Sequence, residues 1–297
     1  MSKYPILDPH NFVALPYSST TQPIQILTNI LQEVQTQNKE IWLLSQDMSK
    51  AYDSVHIPLL QHALNRIKIP QNIQQLIINI HNNRHNSVIT NFGSTSSYYV
   101  QDGIDQGETI TPLLWRIYYD PLIAHIHSKF QGYNMSTTLL PNTQHLSYHT
   151  SVLAYMDDTL WLAPNKQILQ QIVNSAESFY NMANITVNPT KSILATNKTE
   201  DPNPTINFAN TIISTIALKD TFRYLGCWFT LLSHHKHIHN QITAETTNLI
   251  NTIKNKKITE KQTIYIINTV LIPCFLYRTL NTFVYQSNTQ SITNSYM

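Results

Sequence analysis

The sequence predicts an α+β fold in which short strands and hairpins carry the polar chemistry and amphipathic helices pack against them. Three observations support this. The stretch SVLAYMDDTLWLA, Ser151 to Ala163, sets two adjacent carboxylates, Asp157 and Asp158, between two short apolar runs with strand-like content, and reads as a hairpin with the acids at its tip. Ile41 to Gln46 reads as a buried strand that runs straight into a third acid, Asp47. Around these, apolar residues recur at helical spacing, and from Ser233 onward the texture is almost wholly helical.

Taken in order, residues 1–20 carry Pro5, Pro9 and Pro16 and end in Ser18-Ser19-Thr20, an extended lead-in with a helix cap. Ile24, Leu27, Ile30, Leu31 and Val34 mark the helix that follows, with Pro23 in its first turn, where a missing N–H costs little. After the strand at 41–46, Leu59, Leu60, Ala63, Leu64 and Ile67 mark a helix opened by Pro58, and Ile73, Leu76, Ile77 and Ile80 a second one after Pro70. Ser87 to Asn91 and Ser97 to Gln101 alternate around Phe92-Gly93-Ser94 as a hairpin. The loop from Asp102 to Glu108 enters a long helix through Thr109 and Pro112, and Lys129 to Thr150, polar in texture, reads as a loop. Beyond the Asp-Asp hairpin, Ile168, Ile172, Ala176, Phe179 and Ala183 give another amphipathic helix, and short strands fill Thr186 to Phe229. The terminal helical segments bend at Pro273.

Composition permits a nucleic-acid partner without arguing for one. The 297 residues are 42% hydrophobic but only 12% charged, about half the usual share, and the net charge is +2. The two cysteines, Cys227 and Cys274, form no CxxC pattern, so neither a disulfide framework nor a cysteine-based zinc site is expected. The N-terminal stretch MSKYPILDPH lacks the apolar core of a signal peptide, and Ile264 to Tyr277 is too short and too interrupted to span a bilayer. These features predict a soluble protein, cytoplasmic or nuclear.

Adjacent carboxylates repel, and each shifts toward its neutral form unless a positive charge sits beside them. Asp157 and Asp158 alone fit a metal site or an Asp-rich turn equally well. With Asp47 on a neighbouring strand, three carboxylates would share one sheet edge, the donor set of a site with two Mg²⁺ ions about 4 Å apart that supports in-line phosphoryl transfer.

The ordered motifs are more specific. Asp47-Met48-Ser49-Lys50-Ala51-Tyr52-Asp53, Gly103-Ile104-Asp105-Gln106-Gly107 with Thr111-Pro112-Leu113, Tyr155-Met156-Asp157-Asp158, Asn188-Pro189-Thr190-Lys191-Ser192 and Tyr224-Leu225-Gly226 resemble, in sequence order, the palm motifs of reverse transcriptases, most closely the non-LTR, LINE-type retrotransposon branch. The resemblance implies a right-hand polymerase fold: an antiparallel palm sheet with helices on it, partial fingers and a C-terminal helical thumb. It divides the chain into 1–40 (partial fingers), 41–230 (palm, with a fingers insertion at about 58–101) and 231–297 (thumb). It implies an RNA-directed DNA polymerase that joins dNTPs to a DNA primer on an RNA template. Asp47 and Asp157 would bind two Mg²⁺ (or Mn²⁺) ions with Asp158 as the third carboxylate, and Lys191 would protonate the departing pyrophosphate. Met48, Tyr52, Gln106 and Gly107 would meet the nucleotide, Tyr52 excluding a 2′-OH, and Tyr224, Leu225 and Gly226 would form the primer grip. Asp53 is expected to cap the next helix or serve a local structural role.

Two features depart from the pattern. Lys3 and Lys39 are the only Lys or Arg residues before Lys50, and no arginine precedes Arg66, although a triphosphate needs cations. This leaves open a truncated copy, a catalytically inactive remnant that only binds nucleic acid, and, against Tyr52 and YMDD, an RNA-directed RNA polymerase. His234, His235, His237 and His239 lie outside the motifs. His235 and His239 share a helix face, but with no carboxylate or Cys to complete a metal set the cluster reads as an exposed helix start placed to touch duplex phosphates.

Overall fold

A computed structural model describes residues 6–14, 19–82, 84–138, 145–198, 200–232, 236–254 and 256–280. The apolar stripe of Ile24, Leu27, Ile30, Leu31 and Val34 becomes the buried face of helix α1 (Thr21–Gln37). Strand β1 (Trp42–Gln46) follows, then a short β2 (Met48–Ser49). Pro58 lies in the first turn of α2 (Ile57–Arg66), and Pro70 caps α3 (Gln71–His81). The ribbon after α3 comes in two pieces, β3 (Arg84–Asn86) paired with β6 (Tyr98–Val100) and β4 (Ile89–Thr90) with β5 (Gly93–Ser94). Its turn is Asn91-Phe92, one position earlier than expected.

Helix α4 (Thr111–Lys129) comes next. The segment expected to be a loop, Lys129 to Thr150, is instead the end of α4 and a hairpin, β7 (Tyr133–Thr138) and β8 (His145–Thr150). Its polar residues hide the strand pattern because polar groups form part of its packing: Tyr133 is buried and donates to Glu33 at 3.0 Å, and the Ser136 amide donates to the same carboxylate at 3.1 Å.

Strands β9 (Val152–Tyr155) and β10 (Asp158–Ala163) form the expected acidic hairpin. They lead to α5 (Lys166–Ala183), whose Asn165 side chain caps Ile168. Then come β11 (Thr186–Val187), β12 (Ile193–Thr196) and the hairpins β13 (Thr205–Phe208) with β14 (Thr211–Ser214) and β15 (Phe222–Tyr224) with β16 (Cys227–Phe229). The chain ends in α6 (Lys236–Lys254), α7 (Glu260–Ile266), a π-helical turn Ile267–Leu271 and α8 (Ile272–Arg278), so the bend near Pro273 is a π turn just before the proline. His234 and His235, and the side chains of His237 and His239, lie outside the described residues.

The site is positioned by an antiparallel sheet in the order β12-β1-β10-β9. Alternate residues of a strand point to opposite faces. One face, with Trp42, Leu44, Ala154 and Trp161, packs on α2, α4 and α5; the other, with Leu43, Leu153, Leu160 and Leu162, packs on α1 and the β15–β16 hairpin. The edge strand β9 is covered by residues 10–12: the Ala154 amide donates to His10 at 3.0 Å and the Phe12 amide donates to Ala154 at 2.9 Å.

That covering segment is fastened by a part-buried hydrogen-bonded clamp. Asp8 accepts from Nδ1 of His10 at 2.8 Å and from Nδ1 of His127, in the last turn of α4, at 2.9 Å. Burial works to raise the Asp8 pKa, but the His10 and His127 hydrogen bonds overcome it and bring the value down to about 2. Each ring nitrogen that faces the carboxylate is therefore occupied as a donor, so this Asp-His-His group reads as a clamp and is separate from the acidic hairpin. A depressed carboxylate contributes stability above its unfolded pKa near 4 that is lost as pH falls toward 2, here roughly 2 kcal/mol. Asp8→Asn should lower the melting temperature at pH 7 by about 3–6 °C, with the gap to wild type closing below pH 4; an equal gap at pH 7 and pH 3 in thermal scans would refute the clamp.

Candidate active site

The β1–β10 register decides whether the three acids meet. Gln46 faces Thr159, so continuing by one residue sets Asp47 opposite Asp158, with Asp157 in the adjoining turn. Residues 43, 45 and 47 of one strand and 158, 160 and 162 of the other share a face, which places the carboxylates of Asp47 and Asp158 on the β15–β16 side of the sheet. The Asp158 pKa is pushed up to about 6, first by desolvation among the packed strands, although its outer side meets solvent, then by the negative charges of Asp157 and Asp47, with Arg223 opposing. The Arg223 charge offsets the desolvation and the two neighbouring carboxylates only in part.

The turn that presents Asp157 is strained. Tyr155 pairs with Asp158, leaving a two-residue loop, and its first residue, Met156, has φ +57°, a conformation more readily taken by glycine. Two contacts hold it there: Trp115 Nε1 donates to the Met156 carbonyl at 2.8 Å, and the Tyr52 hydroxyl donates to Met156 Sδ at 3.0 Å. The Tyr52 pKa is raised by burial and by Asp157, so the phenol keeps the proton it donates.

The other expected residues surround this edge. The Asn188 amide donates to the Asp47 carbonyl at 2.9 Å and the Asp47 amide to Ser192 Oγ at 3.2 Å, which ties the turn carrying exposed Lys191 directly to the first acid. Met48 is buried in the core against the helices, and its strand pairs with Val187 of β11. The Asp102–Glu108 loop is bound to the turn after β2 by Gly103 N to Val55 O (2.9 Å) and Ile104 N to Tyr52 O (3.0 Å), and Arg84 pairs with Asp105 at 2.9 Å. Gln106 and Gly107 are exposed at its tip; Gly107, at φ +96°, has open space where a Cβ would stand. Asp53 does not cap α2: the N-cap is His56, and Asp53 lies in a turn closed by Ser54 N to Lys50 O.

The expected grip residues form the two-residue turn between β15 and β16. Leu225 and Gly226 both have positive φ, +47° and +79°, the pattern of a type I′ hairpin. Tyr224 is buried and donates to the Leu153 carbonyl at 2.9 Å, so it anchors the hairpin to β9.

A family model described as reverse transcriptase (RNA-dependent DNA polymerase) matches residues 4–229. The chain belongs to the reverse transcriptase family. Its fold is accordingly the α+β right-hand polymerase fold, with the four-stranded sheet as its palm. Over 264 residues it is 21% identical to a retrovirus-related Pol polyprotein from type-1 retrotransposable element R2 of Popillia japonica, covering 87% of this chain and 41% of that protein. A second polyprotein of the same description and organism is 23% identical over 214 residues, covering 69% of this chain and 29% of its own. The chain thus spans less than half the length of these relatives, and they agree with the retrotransposon branch read from the motifs. Among solved structures, telomerase from Candida albicans in complex with a telomeric RNA fragment covers 93% of this chain and 44% of its own at 15% identity and TM-score 0.47. Apo telomerase from Candida tropicalis truncated from its C-terminal domain covers 72% of this chain and 39% of its own at 14% identity and TM-score 0.49.

Sequence reasoning missed several groups that build the site of this reverse transcriptase. Trp115, about one turn into the apolar run of α4, carries a core side chain whose indole N–H alone marks it out. Gln46, beside Asp47, accepts from Trp161 Nε1 at 2.9 Å and from the Tyr180 hydroxyl at 2.8 Å, and Tyr119 lies 2.8 Å from Tyr180, a buried polar network beneath the first acid. Arg223 is exposed on β15 and close enough to lower the pKa of Asp158. Its position next to the Tyr-Leu-Gly motif was the available signal.

Proposed function

We propose that this chain is the RNA-directed DNA polymerase of a non-LTR retrotransposon, adding dNTPs to a DNA 3′-hydroxyl on an RNA template. The observation that carries this is the register that brings Asp47 opposite Asp158 with Asp157 in the adjoining turn. Residues 41–230 serve as palm with a fingers insertion at about 58–101, residues 1–40 as partial fingers and 231–297 as thumb.

The donor set fits hard divalent cations: it is all oxygen, and Asp158, raised to about 6 by desolvation and then by Asp157 and Asp47, is only partly offset by Arg223. Asp47 and Asp157 would hold two Mg²⁺ ions, with Mn²⁺ able to replace them, and Asp158 would back them. When bound, these ions supply charge neutralisation and a lowered pKa at the primer hydroxyl. The protein does the rest. Tyr52 borders the sugar of the incoming nucleotide, Gln106 and Gly107 line the pairing base, Lys191 offers a proton to the departing pyrophosphate, and the Leu225-Gly226 turn holds the primer end.

A second reading, a nucleic-acid-binding remnant, draws on the arginines. Arg66 pairs with Asp120, Arg84 with Asp105, and Arg116 is buried and donates to the Val13 and Asp8 carbonyls, so the arginines before the acidic hairpin are engaged within the fold. The two readings separate in a primer-extension assay with an RNA template, a DNA primer, dNTPs and Mg²⁺. Extension supports the polymerase, whereas salt-sensitive duplex binding without extension supports the remnant.

Tyr52 adds a second test. Tyr52→Ala should lower the preference for dNTPs over rNTPs, measured as a ratio of kcat/KM values, by about tenfold or more. A ratio unchanged from wild type would remove Tyr52 from the sugar site. As to location, no helix among the described residues is long and apolar enough to cross a membrane.

A further inference from the structure

We propose that Tyr277 and Arg278, at the end of α8, are positioning residues that lock the Leu225-Gly226 turn and thereby fix the 3′ end of the primer. The inference rests on the polymerase reading given above. It concerns a helix about 50 residues downstream of the turn and beyond the stretch matched by the family model.

The turn is not held by its own sequence. A type I′ turn favours Asn or Gly at its first position, and here a leucine occupies it at φ +47°. Such a conformation persists where the surroundings over-determine it. Both carbonyls at the tip are captured by α8: the Tyr277 hydroxyl donates to the Leu225 carbonyl at 2.7 Å, and Arg278 Nη1 donates to the Gly226 carbonyl. The space beside Gly226 is bounded by the same two side chains, since a Cβ there would lie 3.4 Å from Arg278 Nη1 and 3.4 Å from the Tyr277 ring. Cys227 Sγ, at the other end of the turn, lies 3.3 Å from the Tyr277 carbonyl.

The captors are anchored in turn. Tyr277 lies 2.9 Å from the Thr20 hydroxyl at the start of α1, and Arg278 Nε pairs with Glu245 of α6 at 3.2 Å. The turn is thus held by α8, and α8's two captors are held by the start of α1 and by α6. Their target is the turn of the hairpin that carries Arg223 beside Asp158 and is pinned to β9 through Tyr224. A shift of the turn moves the primer end relative to the acids, and a displacement of about 1 Å can cost on the order of 10²-fold in rate.

The test uses the full chain, a primer–template duplex with 2-aminopurine at the primer 3′ terminus, and the variants Tyr277→Phe and Arg278→Ala. Tyr277→Phe keeps the ring and removes only the hydroxyl. It should lower kcat per active site about ten- to a hundredfold and increase the 2-aminopurine fluorescence of the bound duplex, while duplex affinity stays within about threefold. Arg278→Ala should do the same, and Arg278→Lys should recover part of the loss because it restores a donor. A purely structural role would instead reduce the folded fraction and leave kcat per active site and the fluorescence at wild-type values, and that result in Tyr277→Phe overturns the proposal even if Arg278→Ala fails to fold. If the wild type binds the duplex but extends nothing, the polymerase reading fails, and the fluorescence comparison alone decides the role of the turn.

Discussion

Asp157→Ala should abolish primer extension, and Asp47→Ala should match it, each lowering the rate at least about 10³-fold, while the fold persists. The same geometry explains both halves. The β1–β10 register sets Asp47 opposite Asp158 with Asp157 in the adjoining turn, and their charges act against one another unless a cation lies near. Without cations the arrangement opposes folding. Asp158 sits near 6 because of desolvation and the charges of Asp157 and Asp47, so its folded pKa exceeds the value near 3.8 of an unfolded chain. A raised pKa favours the folded state most below pH 3.8, and that advantage is lost as pH rises through 6. Asp158→Asn should therefore melt above wild type at pH 7.5 without divalent ions, and the gain should vanish at pH 4. Added Mg²⁺ should narrow the difference by stabilising wild type alone. Extension rates and thermal scans at the two pH values check the set; an active Asp157→Ala protein, or an Asp158→Asn protein less stable than wild type at pH 7.5, would remove the acids from the centre of the mechanism.

How much of this was legible in the sequence depends on how local each signal is. The strand at 41–46, the hairpin at 152–163 and helices α1, α2, α4 and α5 follow from apolar periodicity and from prolines near helix starts, so their residues declare them. The approach of Asp47 to Asp158 follows from the β1–β10 pairing of segments more than 100 positions apart, which no local pattern specifies; the ordered motifs are the sequence's only sign of it. The hairpin β7–β8 escaped because Tyr133 and Ser136 satisfy themselves on buried Glu33, and polar strand residues mimic a loop. Of the two roles expected of Asp53, the helix cap falls to His56, since α2 starts at Ile57, and the local turn closed by Ser54 N to Lys50 O is where Asp53 lies. The clamp at Asp8 and the capture of Leu225 and Gly226 by α8 depend on tertiary contacts alone.

Trp115 joins stability to catalysis, and its substitutions should separate the two. Its indole is fully buried, stacked on Tyr119 with ring centroids 5.5 Å apart and edge-on to Tyr52 at 5.9 Å, and its N–H is committed to the Met156 carbonyl. Trp115→Ala removes the ring and leaves a cavity under the palm, a cost of about 3–5 kcal/mol and a fall in melting temperature of roughly 10 °C. Trp115→Phe keeps most of the packing and loses one hydrogen bond, a cost of about 1–3 kcal/mol that includes the carbonyl left unpaired. Its effect on activity should be out of proportion to that. Met156 holds φ +57° with Trp115 on its carbonyl and Tyr52 on its sulfur, and the next residue is Asp157. Releasing one restraint lets the turn relax and moves the carboxylate, so Trp115→Phe should lower kcat about ten- to a hundredfold at temperatures where the protein is still fully folded. If Trp115→Phe extends primers at the wild-type rate, the strained turn is incidental to catalysis and Trp115 is a core residue only.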